Sequence, residues 1–409
     1  MRHESQVEVL EQLLSHVENH TNHDAGCQLR VPLSDYVDSD LAAREWQVLF
    51  REHPQLIGLS GDLPEADSFF TLDDFGVPLL AVRDKNGCFR AYVNACRHRG
   101  AQVVEDSRGN AGRFVCPFHG WTYKSTGELA GVTEAEQFGQ VDKSCLGLVE
   151  LPASERHGML WVHPQVGGTL DVDTMLGEMA GELENWALHS HQYVENCRLE
   201  KDMNWKLAND TFGETYHFSR LHSRTLNQLN HGDAIVCTPF GRHHRAVFPS
   251  RGIGYLRQKP REKWRTENVA TVLYYLFPNI QMTVSERQIT LFRIYPVPGE
   301  PGRSRTYVSH YFSRTALEQM TSGEKTPINA DNIYDRSARD GNAIITPEAV
   351  MEVINSTLDQ EDFRMAEATQ KTATAGQLSH VLFGRNEAPL HHFHKNFRDA
   401  LGRPAPEAL

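Results

Sequence analysis

Two short clusters of cysteine and histidine constrain this chain more than any other feature. Cys96 and His98 form a C-x-H pair, and after seventeen further residues Cys116 and His119 form a C-x-x-H pair. Zinc also takes two cysteines and two histidines, but usually from pairs of like residues. A mixed pair on each loop suits a [2Fe–2S] cluster with one iron on two thiolates and the other on two imidazoles. The spacing favours this cluster, and zinc is the alternative.

The residues around these pairs resemble the Rieske iron–sulfur domain. The second pair lies in Cys116–Tyr123, which reads CPFHGWTY, the wording of the second cluster loop in Rieske oxygenases. Rieske proteins of cytochrome complexes carry an extra cysteine on each loop, and here other residues stand at those places. The resemblance therefore implies an oxygenase or its ferredoxin. We expect Trp121 and Tyr123 to pack against the cluster loops, and Arg99 to bond nearby backbone.

A second metal site is expected, because a [2Fe–2S] cluster transfers single electrons and does no chemistry on carbon. His217 and His222 lie five residues apart in segment 209–222, NDTFGETYHFSRLH. On an ideal helix these side chains point about 140° apart, so a kink or bulge must bring them to one metal. Two imidazoles and one carboxylate form the triad that binds Fe(II) and leaves positions open for O2 and substrate. Two surface histidines on an amphipathic helix are the alternative.

This segment resembles the mononuclear-iron motif of Rieske oxygenase α subunits. In that motif an acidic residue, two residues, His, four residues and His follow one another, and Glu214, His217 and His222 have this spacing. The chain is thereby identified as a member of the Rieske non-haem iron aromatic ring-hydroxylating oxygenases, α (catalytic) subunit. The resemblance covers most of residues 40–400.

The resemblance implies that the third iron ligand lies well downstream, in a helix. Asp362 is the best match, in the run QEDFRMAEATQ that begins at residue 360. Asp359 is the nearest alternative. Glu361 is expected to point elsewhere on the helix.

The acidic residue of the motif is implied to bridge the two metal centres across a subunit boundary, from His119 of one chain to His217 of the next. Most family members have Asp where this chain has the longer Glu214, so either the helix sits further back or the bridge is remodelled. Asp210 stands where an Asn is usual, four residues upstream, and is a second candidate catalytic residue. Members that act on quaternary ammonium compounds also have Glu in the bridge. Glu214 therefore indicates either a carnitine- or betaine-like substrate or a tolerated variant.

The resemblance implies the terminal oxygenase component of a Rieske system, with one [2Fe–2S] cluster and one mononuclear Fe(II) per chain. Such an enzyme would mono- or dioxygenate a small organic substrate, which we expect to be aromatic. A nucleotide fingerprint is absent, so a separate NAD(P)H-dependent reductase is expected, directly or through a ferredoxin. The bridge implies a homo-oligomer, most simply a trimer, with or without a small β subunit. A Rieske electron carrier is the alternative from another class.

Composition and charge argue against several other classes. The 409 residues carry a net charge of −12, and no long basic run indicates nucleic acid or an anionic membrane as a partner. No window approaches eighteen apolar residues, and the N-terminus lacks a signal-peptide stretch. Five of the seven cysteines are scattered, and we interpret them as buried free thiols. We therefore expect a cytoplasmic protein.

Periodicity predicts an α+β chain in three segments. An N-terminal segment, 1–40, contains a helix over 3–18 and is expected to pack on the catalytic domain. Short strands between turns, among them a hairpin around 84–87, predict an all-β Rieske domain over 41–165. The catalytic domain, 166–409, is expected to be a twisted antiparallel sheet with one face buried, covered by helices. The resemblance implies a START-like (SRPBCC) fold for it.

Some aromatic and histidine residues are open to two interpretations. Four aromatic residues could line a substrate pocket or pack in the core: Phe212, Phe218, Tyr274 and Phe292. Five histidines occur in short tracts without accompanying cysteines, and we interpret them as ordinary structural residues: His243, His244, His391, His392 and His394.

Overall fold

A computed structural model describes residues 1–322, 326–327, 342–343 and 346–409. The chain packs as two compact units, which we call the cluster unit and the catalytic unit. The cluster unit comprises Gln47–Met175 and Ala187–Gln192, and the catalytic unit comprises Met1–Trp46, Leu176–Trp186 and Tyr193–Leu409. The predicted mixture of helix and antiparallel sheet is confirmed. The boundaries proposed at residues 40 and 165 stay a prediction.

Short antiparallel strands build the cluster unit. The five strands of its largest sheet are, in spatial order, Glu150–Leu151, Phe89–Val93, Leu79–Arg83, Ser68–Leu72 and Arg108–Asn110. Two further sheets have the strand orders Ala153–Arg156, Met159–Val162, Gln55–Leu59 and Arg113–Val115, Thr122–Lys124, Leu129–Gly131. Its helical turns are Ser60–Asp62, Ala135–Phe138, Leu188–Ser190 and most of Val172–Leu176, and the π-helical turn Trp46–Arg51 leads into it.

The predicted hairpin is confirmed, and its turn leads the chain towards the first Cys/His pair. The strands Leu79–Arg83 and Phe89–Val93 pair antiparallel. Asp84 Oδ1 accepts the backbone N–H of Cys88 at 3.0 Å. Gly87 adopts a left-handed φ of 82°, which a residue with a Cβ rarely takes. This turn therefore fixes the register of the two strands.

A seven-stranded sheet dominates the catalytic unit. Its spatial order is His191–Lys201, Glu300–Ser313, Gln288–Val297, Ile280–Val284, Ala270–Leu276, His243–Pro249 and Val236–Phe240. The last six are consecutive in the chain and pair antiparallel, as a meander. A smaller sheet has the order His380–Phe383, Leu29–Pro32 and Glu407–Ala408, and Thr326–Pro327 pairs with Asn342–Ala343.

The helices of the catalytic unit come from both ends of the chain. The α-helices are His3–Asn19, Ser39–Glu45, Glu178–Glu184, Trp205–Asp210, Arg314–Thr321, Pro347–Thr357, Phe363–Ala375 and Ala388–Ala400. Leu358–Asp362 is a π-helical turn between two of them, and the 3₁₀ turns are Leu33–Tyr36, Leu226–Gln228, Ile253–Gln258 and Arg261–Lys263. The predicted N-terminal helix is therefore confirmed, and helices accompany the large sheet as expected for the catalytic domain.

The expectation that only one face of the large sheet is buried is wrong for its central strands. In Gln288–Val297, the eight residues between the two ends are all buried. Because successive side chains of a strand point to opposite faces, both faces of the sheet are covered there. Helix Trp205–Asp210 packs on this strand and on its neighbour Glu300–Ser313.

The five cysteines outside the two motifs are free thiols, as predicted. Their predicted burial is correct only for Cys237. Cys88 and Cys145 are exposed, and Cys27 and Cys197 are partly exposed. Cys27, Cys88 and Cys145 lie in connecting segments, and Cys197 lies in the edge strand His191–Lys201 of the large sheet. Periodicity did not reveal these positions.

A buried ion pair anchors the helix that precedes the two predicted iron-binding histidines. The side chains of Lys206 and Glu45 are each 1% exposed, and Lys206 Nζ donates to Glu45 Oε1 at 2.5 Å. Trp205 Nε1 donates to the other carboxylate oxygen at 2.7 Å. The ammonium group also lies 5.1 Å from the ring centroid of Phe397. The pair therefore ties helix Trp205–Asp210 to the N-terminal part of the chain.

Replacing Lys206 with Met should leave the Glu45 carboxylate buried without its counter-charge. We expect Lys206→Met to lower the free energy of unfolding by about 3–5 kcal/mol, and the double variant with Glu45→Gln to recover part of the loss. Arg314→Met, which breaks an exposed pair with Glu318, is the control and should change stability by less than about 1 kcal/mol. Chemical denaturation measures all three, and equal stabilities of the two single variants would contradict the anchoring role.

Candidate metal centres

The two Cys/His pairs lie on loops with the same backbone hydrogen bonds. Gly100 and Gly120 take left-handed φ values of 77° and 70°, and their N–H groups donate to the carbonyls of Cys96 and Cys116 at 2.9 Å. The N–H of each cysteine donates to a carbonyl five residues further on, at 2.7 and 2.8 Å. Because a Cβ disfavours this φ, each glycine is needed to close the loop.

The four predicted cluster ligands come together in the cluster unit. The ring centroids of His98 and His119 are 4.6 Å apart. Cys96 and Cys116 are buried, and burial together with the neighbouring Cys96 thiol raises the pKa of Cys116. The Nδ1 atom of His98 is buried and has no hydrogen-bond partner within the described ranges. Two thiols and two imidazoles, one with an unpartnered nitrogen, fit the donor set of a [2Fe–2S] cluster with mixed ligands.

Two aromatic residues pack against these loops, as predicted. The Trp121 indole stacks on the His98 ring, with centroids 5.2 Å apart and an interplanar angle of 11°. The Tyr123 hydroxyl lies 3.3 Å from Cys96 Sγ and accepts the backbone N–H of Arg97 at 2.9 Å. Hydrogen bonds near ligand sulfurs are one of the means by which a protein sets a cluster's reduction potential.

The sequence predicts that Arg99 bonds nearby backbone, but in the described part of the chain its side chain contacts His119, a candidate ligand, and Phe118. One of its terminal nitrogens lies 2.7 Å from His119 Nε2, and its guanidinium lies 4.2 Å from the Phe118 ring centroid. Partial desolvation and this cation hold the pKa of His119 below its usual value. A positive charge beside the histidine side of a cluster stabilises the reduced, more negative state.

The two predicted iron-binding histidines do not lie on a helix. Helix Trp205–Asp210 ends before them, and residues 211–225 form successive turns and bends. The ring centroids of His217 and His222 are 4.8 Å apart. The separation of about 140° that an ideal helix would impose on the two side chains therefore does not arise, because the turns bring the two imidazoles together.

Asp362 meets both imidazoles. Its Oδ1 lies 3.1 Å from His222 Nε2 and 3.4 Å from His217 Nε2. A metal held at about 2.1 Å by ligands at right angles would separate their atoms by roughly 3.0 Å. Within residues 1–322 and 346–409, this is the one group of three His, Cys, Asp or Glu residues placed to hold a metal ion, and its ligand atoms all lie within 4.8 Å of one another. The three side chains therefore fit a mononuclear metal.

The electrostatics of this group favour a metal ion. Burial lowers the pKa of His217, but hydrogen bonds with Asp362 and Glu214 outweigh it and raise the pKa to about 9. Burial raises the pKa of Asp362, but hydrogen bonds from His217 and His222 outweigh it and lower the pKa. Asp362 is therefore held as a carboxylate, the state in which it can bind a metal.

Glu214, the predicted bridge residue, and Asp210, a candidate catalytic residue four positions upstream, have different partners. Glu214 Oε1 contacts His217 Nδ1, and its Oε2 accepts the backbone N–H of His217 at 3.1 Å. Asp210 accepts the Tyr36 hydroxyl at 2.8 Å, and its other oxygen lies 2.9 Å from His394 Nε2. Glu214 thus holds a candidate ligand, whereas these contacts of Asp210 are with residues outside the triad.

Sequence reasoning missed the role of Glu361. The sequence predicts that it points away from Asp362, yet both contact His222: Glu361 Oε2 lies 2.7 Å from Nδ1 of that ring and accepts the Thr225 hydroxyl at 2.8 Å. The π-helical turn Leu358–Asp362 accounts for this, because its wider winding changes the directions of successive side chains. A π turn leaves no clear signal in the sequence.

The remaining candidates are engaged elsewhere. Asp359, the alternative third ligand, pairs with Lys201 at 2.6 Å. In the histidine tracts, His244 Nδ1 lies 3.0 Å from His392 Nδ1, and burial lowers the pKa of His244 well below its usual value. His244 and His392 therefore contact each other, which is consistent with the prediction that the tracts hold ordinary structural histidines.

A cavity of about 750 Å³ opens at the triad, within the usual range for a small-molecule site. Phe212, Phe218 and Phe292, which the sequence leaves open between cavity lining and core packing, line it. Phe248, which sequence reasoning missed, lines it as well. Among the residues that the structure describes, Tyr274 does not line this cavity. The Tyr274 hydroxyl instead accepts the Trp186 indole N–H at 2.8 Å. The cavity lining also includes polar and charged residues, such as Glu267, Asn268, Arg287 and Gln319. The triad therefore borders a chamber with four phenylalanines.

Two family profiles match the chain over the two candidate centres. The Rieske [2Fe–2S] domain matches residues 53–146, and the catalytic domain of the ring hydroxylating alpha subunit matches residues 183–403, more than half of the chain. The chain belongs to the ring hydroxylating alpha subunits. The two matched domains imply one Rieske [2Fe–2S] cluster and one mononuclear iron. Within the described residues, no helix has the length and hydropathy that a bilayer-spanning segment requires.

Curated relatives of this alpha subunit act on two kinds of substrate. The large oxygenase component of the 2,4-dinitrotoluene dioxygenase system of Burkholderia sp. (strain RASC) is 35% identical over 225 residues, which cover 52% of this chain and 45% of the relative. The glycine betaine monooxygenase oxygenase subunit of Chromohalobacter salexigens is 27% identical over 201 residues, which cover 49% and 44%. The chain spans about half the length of the curated relatives it matches.

Solved structures share the fold of this alpha subunit. The quaternary ammonium Rieske monooxygenase CntA in complex with L-carnitine is similar with a TM-score of 0.72 at 17% identity, over 93% of this chain and 97% of that one. Naphthalene 1,2-dioxygenase from Rhodococcus sp. bound to indole is similar with a TM-score of 0.67 at 18% identity, over 97% and 98%. At these identities the likeness concerns the fold alone.

Removing the Arg99 cation should lower the reduction potential of the cluster. In Arg99→Leu the reduced cluster loses a nearby positive charge, so we expect the potential measured by a dye-mediated redox titration to fall. Arg97→Leu is the matched control, because Arg97 bonds the carbonyl of Gly147 at 3.0 Å; its effect should be smaller. If both variants have the same potential, the contact with His119 plays no part in setting it.

Proposed function

We propose that this alpha subunit is the terminal oxygenase component of a Rieske non-haem iron system, which incorporates oxygen from O2 into a small organic substrate. The observation that carries the proposal is the meeting of His217, His222 and Asp362 at the wall of a cavity lined with phenylalanine. Iron bound there would supply the activation of O2, because a two-histidine, one-carboxylate triad leaves coordination positions open. An electron carrier would leave this triad and its cavity without a use.

The residues of the chain would divide the remaining tasks among them. Cys96, His98, Cys116 and His119 would hold the cluster. The phenylalanines of the chamber would keep water from the substrate and hold it beside the triad. Glu214 would keep the His217 ring in place through its Nδ1 atom.

We propose that electrons come from a separate NAD(P)H-dependent reductase, directly or through a ferredoxin. They would pass from His119 of one subunit to Glu214 and His217 of the next, in a homo-oligomer that is most simply a trimer. Glu214 supports this path, because a carboxylate that accepts from one imidazole retains lone pairs for a second. The path does not require a β subunit.

We propose an aromatic or similarly unsaturated substrate. Phe212 and Phe292 have ring centroids 4.8 Å apart, and Phe218 and Phe248 have centroids 5.5 Å apart, so two ring pairs border the chamber. Such surfaces favour stacking and edge contacts with a flat ring. The relative that acts on 2,4-dinitrotoluene supports this choice.

A quaternary ammonium compound is the second candidate. Glu214 is the residue that favours it, and the glycine betaine monooxygenase subunit is a relative. Aromatic faces also attract quaternary ammonium groups, and Glu267 adds a carboxylate to the lining.

Iron content and O2 consumption test the proposal together. The wild-type chain should hold about three irons, two in the cluster and one in the triad, whereas a carrier would hold about two. With a surrogate reductase, O2 uptake should be stimulated by nitroaromatic or bicyclic aromatic compounds, and less by carnitine, glycine betaine or choline. His217→Ala should keep the cluster's visible absorption, lose one iron and lose the stimulated uptake.

His231→Ala is the matched control, because His231 faces Asp233 at 3.7 Å; it should keep all three irons. Three irons and full turnover in His217→Ala would refute the site. Stimulation by the quaternary amines alone would exchange the first substrate class for the second.

Neutralising Glu214 should slow electron delivery without removing either metal. Glu214→Gln keeps the length of the side chain but loses the charge that stabilises the histidine contact. We expect normal iron content and a slower single turnover of the pre-reduced enzyme. Asp233→Asn, a change at an exposed carboxylate, is the control. An unchanged single-turnover rate would remove Glu214 from the electron path.

A further inference from the structure

Two consecutive acidic residues hold the His222 imidazole from both sides. Nε2 lies 3.1 Å from Asp362 Oδ1, and Nδ1 lies 2.7 Å from Glu361 Oε2. His222 is 0% exposed, so water cannot replace either contact. A neutral imidazole carries a proton on one nitrogen and a lone pair on the other, and its neighbours decide which.

The surroundings of Glu361 make it an acceptor. Thr225 has its hydroxyl 2.8 Å from the same Oε2 atom, and an ionised carboxylate can only accept. Glu361 Oε2 therefore accepts two hydrogen bonds, one from the Thr225 hydroxyl and one from the Nδ1–H of His222. In that tautomer the Nε2 lone pair faces the point where the atoms of His217 and Asp362 also meet.

The π-helical turn Leu358–Asp362 makes this arrangement possible. On a regular helix, neighbouring side chains point about 100° apart, and one of them would leave the ring. Here Asp362 reaches one ring nitrogen and Glu361 the other. Glu361 is not among the residues that line the cavity, so any effect on the substrate would be indirect.

We propose that Glu361 is a positioning residue for the mononuclear metal, which fixes the Nδ1–H tautomer and the ring orientation of His222 and thereby strengthens metal binding. The inference rests on the proposed function, since it takes His222 as a metal ligand. Together with Glu214 on His217, it gives each histidine of the triad its own carboxylate. Carboxylate–histidine–metal arrangements of this kind make the bound nitrogen a better ligand.

Co(II) binding measures this role without turnover. The protein is stripped of its mononuclear iron with the cluster left in place, and Co(II) is titrated while its visible ligand-field bands are recorded. Glu361→Leu should raise the dissociation constant about 10–100-fold and shift the bands, because the ring loses its support. Glu361→Gln keeps an oxygen acceptor without the charge and should lie between Glu361→Leu and the wild type.

Asp359→Asn is the matched control, because Asp359 belongs to the same π turn and pairs with Lys201. Its dissociation constant should stay within about twofold of the wild type. The visible absorption of the cluster reports whether each variant is folded. If Glu361→Leu lacks this absorption, the Co(II) dissociation constants of Glu361→Gln and Asp359→Asn are compared instead to test the role of Glu361.

His222→Ala separates the inference from the proposed function. If this variant binds Co(II) as tightly as the wild type, the triad itself is wrong. If His222→Ala loses Co(II) while the Glu361 variants match Asp359→Asn in affinity and spectrum, the role of Glu361 is overturned and the proposed function stands.

Discussion

The contact between Asp362 and His222 joins parts of the chain that lie 140 residues apart. Asp362 is 8% exposed and His222 is 0% exposed. Burying either side chain without a hydrogen-bond partner would cost free energy of folding. The same two regions are tied a second time, because Gln370 Oε1 accepts the backbone N–H of Asn204 at 2.8 Å. Asn204 in turn caps helix Trp205–Asp210. The elements that supply the ligands therefore hold one another in register, and the cavity opens where they meet.

The side chains around the triad carry an excess of negative charge, which a divalent cation would offset. Three carboxylates, those of Glu214, Glu361 and Asp362, contact only two histidines. Uncompensated carboxylates in a buried place are costly. A proton shared by His217 offsets part of this charge, as its pKa of about 9 indicates, and a metal ion would offset more.

Sequence reasoning worked where the chemistry is local. The cluster motifs could be read because Cys96 and His98, and then Cys116 and His119, are near neighbours in the chain with glycines that close the loops. Asp362 required a family resemblance, since no local pattern links it to His222. The packing of Trp121 against the cluster loops was predicted correctly because this residue lies only two positions after His119.

The remaining features depend on backbone geometry that the sequence does not announce. Glu361 was missed because the π turn changes its direction, and Phe248 because nothing in its own strand indicates a cavity wall. The two-sided burial of Gln288–Val297 was missed because buried polar residues such as Thr290 imitate an exposed face.

The longer acid at position 214 folds back on a neighbouring residue of the same chain. Oε1 of Glu214 contacts His217 Nδ1, and Oε2 accepts the N–H of the same residue at 3.1 Å. One carboxylate therefore holds both the ring and the backbone of His217. Each of these oxygens retains a lone pair, so a neighbouring imidazole could still donate to the carboxylate. A glutamate here is thus compatible with the proposed inter-subunit bridge, and its presence alone does not decide the substrate class.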